Sequence, residues 1–307
     1  VASDYLALIT QREQLRVQQE NLTAQEQELT QLEEFTKQGT RPIGDLYQQQ
    51  AAVAQTRLAV VNARRASELA KVDLIQELVL DARRDYVFVT PTEIRTETPL
   101  PAFNLDSLIS VAMLQRSDLS AQFFHVQAAQ REIDIAQGGR LPVVTANVGY
   151  SSGFNSEGDG AFLAQLNQRR GGSIGIGVTL PIYDRGAVSI ATQRARIGLE
   201  NELLALRDQE QTVAIEVRRA YLDFTAAREQ LAAADAQQRA AALALQAAQA
   251  RYRVGLATFV EVTLARATLI QAQSTVVNAR SSLTFQQALM SYYTGVLDPS
   301  NLSIAGF

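Results

Sequence analysis

A gap-free internal repeat is the strongest constraint on this chain. Tyr5 and Leu6, followed by Arg12, Glu13, Gln14 and Leu15, recur as Tyr221 and Leu222, followed by Arg228, Glu229, Gln230 and Leu231, a displacement of 221 − 5 = 216 residues. The same displacement carries Gly39 onto Gly255, Gln55 onto Gln271, and the pentapeptide 60–64 onto 276–280. Each copy reads as a helical hairpin. Helices of this length cannot bury their apolar stripes within one hairpin, so several hairpins must share an extended seam, as in a tube or a bundle. The 307 residues hold only 17 Gly and 7 Pro, and Ala, Gln, Leu, Arg and Glu are abundant, which favours long helices.

Charge and cysteine usage remove several function classes. A net charge of −4 supplies no basic field for a phosphate backbone, so no nucleic-acid partner is expected. Zero cysteines exclude disulfides, thiolate metal sites and a thiol nucleophile, and suit export through an oxidising compartment. No run of about 18 apolar residues exists, which argues against a transmembrane helix but leaves strand crossings of about 10 alternating residues open. No signal peptide opens the sequence, which reads as mature protein or a fragment.

Along the chain, helices are expected over residues 3–37 and 45–80, the first ended by Gly39 and Pro42. Together, 1–89 read as the hairpin of the first repeat. Pro91, Pro99 and Pro101 mark a connector, and 90–117 read as a connecting region holding a short helix at 106–115. The second repeat, 118–307, opens with a helix from Asp118, expected as its N-cap, to about Gln137. It continues through a β-hairpin at 143–183 and a helical hairpin at 186–295.

Within that β-hairpin the period changes from helical to strictly alternating. Val144, Ala146, Val148 and Tyr150 share one face, as do Ile174, Ile176, Val178, Leu180 and Ile182, with polar residues and glycines opposite. Either face-to-core packing of a soluble hairpin or a bilayer crossing fits this alternation. A polar loop, 153–172, joins the runs, and Tyr150, Phe154, Phe162 and Tyr183 could form an interfacial girdle. The next helix, about 68 residues to Tyr252, would be roughly 100 Å long at ~1.5 Å per residue. Its seam keeps a 4,3 spacing from Leu199 through Leu203, Leu206, Glu210, Val213, Val217, Ala220, Phe224, Ala227, Leu231, Ala234, Gln238, Ala241, Leu245 and Ala248 to Tyr252. Sustained over this length, a 3.5-residue period means left-handed supercoiling against neighbouring helices.

Taken with the duplication, these stretches resemble the TolC-like outer-membrane efflux and secretion proteins. The likeness is carried by Arg140, Leu141 and Pro142 leading to Tyr150; by 177–183 with Gly186; by Tyr221 and Leu222 with 228–231; and by 251–262. The resemblance implies a mainly α fold with a small β part: long antiparallel coiled-coil hairpins forming an α-barrel, plus transmembrane β-barrel strands, internally duplicated. It implies a homotrimer in the bacterial outer membrane with its tunnel in the periplasm, in contact with outer-membrane lipid. Such a protein is the exit duct of a tripartite efflux pump or a type I secretion system. A periplasmic membrane-fusion adaptor and, through it, an inner-membrane pump of RND or ABC type would open it, without any cofactor or metal. The alternative is a non-transporting periplasmic or surface coiled-coil scaffold.

Residue by residue, the resemblance assigns the lipid-facing positions to Val144, Ala146, Val148, Tyr150, Ile174, Ile176, Val178, Leu180 and Ile182. The adaptor-docking tips are Gly39, Thr40, Val254, Gly255 and Leu256, although Gln38 replaces the usual Val. Arg41, Asp45 and Glu261 fall at gate and constriction positions, while Gln48 stands where a second acidic residue is usual. The family carries one strand hairpin per repeat, yet only the second repeat shows one here, so roughly 100 further residues are expected before Val1.

Enzymatic chemistry finds no purchase. His125, the only histidine, lies between aromatic and apolar neighbours and is expected to pack rather than catalyse. Gly175 and Gly177 lack the third glycine of a dinucleotide loop and sit in a strand. The acidic residues show neither paired-carboxylate nor metal-ligand spacing.

Overall fold

A computed structural model of the chain describes residues 1–89, 104–153, 155, 161–168 and 170–296. The expected connector around Pro91, Pro99 and Pro101 lies outside them, as do Phe154, Glu157, Asp159 and Arg169. The elements are α1 (Ala2–Lys37), α2 (Ile43–Glu77), α3 (Leu105–Gln115), α4 (Ser117–Gly138), β1 (Val143–Ser151), α5 (Phe162–Gln168), β2 (Gly171–Thr179), α6 (Ala187–Arg253) and α7 (Phe259–Tyr293). Among the described residues the protein is mainly helical with one two-stranded antiparallel sheet. It divides into two compact units, Val1–Arg116 with Val213–Phe307, and Ser117–Thr212.

In the first unit α1 packs against both α2 and α7. The buried face of α2 follows a 4,3 spacing through Gln49, Val53, Thr56, Val60, Ala63, Ser67, Ala70 and Leu74, of which Ala63 and Ala70 are half-buried. The buried residues of α6 are Val213, Val217, Ala220, Phe224, Ala227, Ala234, Ala241 and Leu245, every one on the expected seam. Phe224 and Ala227 meet Leu283 and Met290 of α7, and farther along Ala234 meets Val276 and Ala279. The seam is apolar, and burial of apolar area holds the two helices together. The α1–α7 contact is different in kind. Thr10 Oγ1 donates to Ser281 Oγ at 2.6 Å, Gln14 Nε2 donates to the Ser274 carbonyl at 3.0 Å and to Asn278 Oδ1 at 3.2 Å, and Glu28 pairs with Arg266. Burial raises the Glu28 carboxyl above its ordinary value, more than the Arg266 guanidinium lowers it.

Both repeats end their second helix on a left-handed residue, Gly295 at φ 72° and, at 295 − 216 = 79, Val79 at φ 53°. Val79 N–H bonds the Gln76 carbonyl and Leu80 N–H bonds the Ile75 carbonyl, the hydrogen-bond pattern of a Schellman cap. A β-branched residue in that conformation is strained. Val79 is 90% exposed and packs against nothing that would offset the strain. Val79→Gly should therefore stabilise the protein by about 0.5–1 kcal/mol, strain relief being larger than the added chain entropy of glycine. The midpoint of urea unfolding measures it; a lower midpoint would contradict it. Gly295 has no such latitude, since a Cβ there would come within 3.1 Å of the Gln115 carbonyl carbon.

The second unit holds the sheet. The expected polar loop contains a helix, α5, that was not anticipated from the sequence, and β2 begins at Gly171 and ends at Thr179 rather than running from Ser173 to Ile182. Pro181 has no N–H to extend the ladder, so Leu180 and Ile182 lie beyond the strand, although both are exposed. Asp118 is not an N-cap: α4 starts one residue earlier, at Ser117, and Asp118 accepts from Leu119 N–H and from Gln209 Nε2. Asp184 does cap α6, accepting the N–H groups of Gly186 and Val188. His125 is exposed on α4, which corrects the expectation that it packs in a core: the apolar neighbours Phe123 and Phe124 are themselves 52% and 65% exposed.

Candidate functional site

Each helical hairpin of the first unit turns through a glycine at positive φ. At the first tip Gly39 has φ 71°, and Thr40 N–H and Oγ1 both bond the Phe35 carbonyl. At the second, Gly255 has φ 78°; its N–H bonds the Tyr252 carbonyl and Leu256 N–H bonds the Arg251 carbonyl. These conformations favour glycine because any Cβ there is strained, and they leave Val254 and Leu256 70% and 71% exposed. Thr258 then opens α7 through a capping box with Glu261. The Glu261 carboxyl is held below its ordinary value, first by the Thr258 N–H and then by Arg251, 3.4 Å away.

The two tips are tied to each other through Tyr252, which sequence reasoning placed only at the end of a seam. Its hydroxyl donates to Asp45 Oδ2 at 2.6 Å, and its ring stands 5.6 Å from that of Phe259. Arg41 lies over the same ring at 4.3 Å and donates to the Tyr252 and Arg253 carbonyls at 2.9 Å each. Arg41 thus caps the C-terminal end of α6, where the exposed carbonyls carry the negative end of the helix dipole. Arg41 and Asp45 meet at Tyr252, whereas Glu261 is engaged with Thr258 and Arg251. Burial, then the Asp45 carboxylate, push the Tyr252 phenol well above its usual range, so it remains a hydrogen-bond donor at neutral pH. Beside this cluster runs a groove of about 660 Å³ lined by Glu28, Leu32, Phe35, Arg41, Gln249 and Tyr252.

The strand hairpin carries the second candidate surface. In register, Val144 faces Val178, Ala146 faces Ile176 and Val148 faces Ile174, so the three aliphatic residues of β1 on that face pair with aliphatic ones, while Tyr150 faces Gly172. Val144, Val148, Tyr150, Ile174, Ile176 and Val178 are 66–82% exposed, and Ala146 is exposed as well. The opposite face pairs Thr145 with Gly177 and Asn147 with Gly175. Asn147 lies so close over Gly175 that a Cβ there would come within 2.7 Å of Oδ1, which is why glycine alternates with polar residues. Tyr150, Phe162 and Tyr183 of the expected girdle are all exposed.

Apolar strands turned outward, paired residue for residue, beside helices with heptad seams are features of outer-membrane ducts, and comparison with known proteins agrees. Residues 108–295 match the family described as outer membrane efflux protein. The chain belongs to that family. Among this efflux family's curated members it is 26% identical over 293 residues to the pyoverdine export outer membrane protein OpmQ of Pseudomonas putida, covering 95% of this chain and 60% of OpmQ. To the outer membrane protein TolC of Escherichia coli it is 27% identical over 214 residues, 68% of this chain and 43% of TolC. The chain thus spans roughly half the length of these relatives. Among solved structures, CusC superposes with a TM-score of 0.72 at 18% identity over 96% of this chain and 67% of that one. The outer membrane protein VceC of Vibrio cholerae gives 0.67 at 19% identity over 96% and 68%. As a member of this efflux family the protein is an outer-membrane protein, and the matched relatives are export proteins and channels rather than enzymes.

Proposed function

We propose that this chain forms part of the wall of a homotrimeric outer-membrane duct, the exit conduit of an efflux or type I secretion assembly. The observation that carries the reading is the β1–β2 register, which gathers Val144, Ala146, Val148, Tyr150, Ile174, Ile176 and Val178 on one outward face. In lipid that face meets acyl chains, and the unpaired edges of the hairpin are satisfied by further strands of a closed barrel. Leu180 and Ile182 continue the apolar surface beyond the ladder.

A second observation favours self-assembly. Opposite its buried face, α2 repeats the 4,3 spacing through Tyr47, Ala51, Ala54, Leu58, Val61, Arg65, Glu68 and Val72, all exposed. Such a stripe suits a neighbouring copy in a tunnel of coiled-coil hairpins. In this reading Gly39, Thr40, Val254, Gly255 and Leu256 form the periplasmic mouth that receives the adaptor, and the inner-membrane pump acts through that adaptor. Arg41, Asp45 and Glu261 belong to the gate, with Tyr252 as the residue that binds the first two. The full-length protein in detergent should have the mass of three copies and give discrete conductance steps in planar bilayers. A monodisperse monomer in plain buffer that forms no channel would contradict the reading and favour a scaffold.

A further inference from the structure

The two faces of α2 present a choice that apolar patterning does not resolve. The buried face carries Gln49, Thr56 and Ser67, whereas the exposed face carries Leu58, Val61 and Val72. The faces differ by two residues in phase, about 200° around the helix. The exposed face also carries the charged Arg65 and Glu68, so apolar residues hold five of eight positions on the buried face and six of eight on the exposed one, and patterning alone does not choose between them.

In α7, at the 216-residue displacement, the pattern is the reverse. The buried face there replaces Gln49, Thr56 and Ser67 by Ala265, Ala272 and Leu283, while the opposite face holds Thr263, Ser274, Ser281 and Thr284. Patterning alone therefore orients α7. The α1 partner changes in step: Gln25 of α1 corresponds to Ala241 of α6.

Gln25, Gln49 and Thr56 form one buried layer, 5%, 1% and 6% exposed. Gln25 Nε2 donates to Thr56 Oγ1 at 2.9 Å, Gln49 Nε2 donates to the Gln25 carbonyl at 2.7 Å, and Thr56 Oγ1 donates to the Ala52 carbonyl at 2.9 Å. Gln25 Oε1 is buried without a partner among the described residues, so the layer carries a cost in stability. A costly polar layer inside a heptad seam fits a role in selecting one arrangement over a competing one.

We propose that the Gln25–Thr56–Gln49 layer selects which face of α2 meets α1, and so keeps the Leu58 and Val61 face outward. The proposal goes beyond the duct reading and stands on α1 and α2 alone. Turning α2 over would set Leu58 and Val61 against the Gln25 amide, which would lose Thr56 Oγ1 and keep as acceptor Asn21 Oδ1, 3.3 Å away on its own helix.

The absence of cysteine makes the choice measurable by crosslinking. Glu26 and Arg57 form an ion pair at 2.7 Å beside the layer, and a two-residue change of phase would put Gln55 in the place of Arg57. The full-length protein is given Glu26→Cys with either Arg57→Cys or Gln55→Cys, treated with a short bis-maleimide, and the intramolecular product is read by intact mass. With the layer intact the Arg57→Cys pair should dominate. In the background Gln25→Leu, Gln49→Leu and Thr56→Val, its excess over the Gln55→Cys pair should fall at least about tenfold with helix content retained, as expected when a buried unsatisfied amide no longer opposes one face. Thr56→Ser, which keeps the hydroxyl, should leave the excess at its parental value. An unchanged excess in the triple background, a fall as large in Thr56→Ser, or loss of helix content would each overturn the proposal.

Discussion

Ile176→Arg in the full-length protein is expected to remove it from the outer membrane. Ile176 sits mid-strand, 76% exposed, opposite Ala146 in the apolar face of the hairpin. A cation at the middle of the lipid face of a barrel costs about 2–4 kcal/mol per copy, and the proposed trimer would bear that cost three times. Ser173→Arg, three residues away on the polar face opposite Gly149, meets no hydrocarbon and should leave membrane levels near the parent. Membrane fractionation measures both. Parental amounts of the Ile176→Arg protein in the outer membrane would contradict a lipid-facing role for this surface.

Charge reversal at Arg41 should loosen the tie between the two tips. Arg41→Glu loses both hydrogen bonds to the α6 carbonyls and the contact with the Tyr252 ring, and sets a carboxylate against the negative end of a helix. Charge-assisted bonds contribute about 1.5–3 kcal/mol when buried, and at this half-buried site a total of roughly 1–3 kcal/mol is expected. That shifts a closed-to-open balance by about 5- to 150-fold, raising mean conductance in planar bilayers. Tyr252→Phe removes one hydroxyl bond to Asp45 and should act in the same direction with a smaller effect, about 0.5–1.5 kcal/mol. Conductance unchanged in both variants would separate this cluster from any gate.

Much of the fold was legible in the sequence because it rests on periodicity. The α6 seam from Val213 to Leu245 was readable from 4,3 spacing, since a long helix exposes or buries residues by phase alone. The strand faces were readable for the same reason, from alternation at Val144 to Tyr150 and at Ile174 to Val178. Helix α5 escaped because seven residues carry too little pattern to stand out from a polar loop. The end of β2 escaped because the apolar alternation continues through Leu180 and Ile182 while Pro181 stops the hydrogen bonding.

At the tips, the glycines were legible because a tight turn needs positive φ, and Arg41 and Asp45 were picked out by the family resemblance. Their shared partner was not, because the Tyr252 hydroxyl reaches Asp45 only once the two tips meet, a relation across 207 positions that no local spacing encodes. Its signal was weak but present: a tyrosine ending a mostly apolar seam brings a hydroxyl that a half-buried position must satisfy. The Gln25–Thr56–Gln49 layer was hidden similarly, since polar residues in one helix of a seam gain meaning only with the partner helix in place.

The most direct test of the duct account is the depth profile of the strand hairpin. Single cysteines at Val144, Gly175, Ile176, Gly177 and Val178 of the full-length protein, labelled with an environment-sensitive fluorophore in lipid vesicles, would be challenged with quenchers attached to the acyl chains. Labels at Val144, Ile176 and Val178 should be strongly quenched, and those at Gly175 and Gly177 weakly. Equal quenching at all five positions, or none, would contradict the assignment of this face to the membrane.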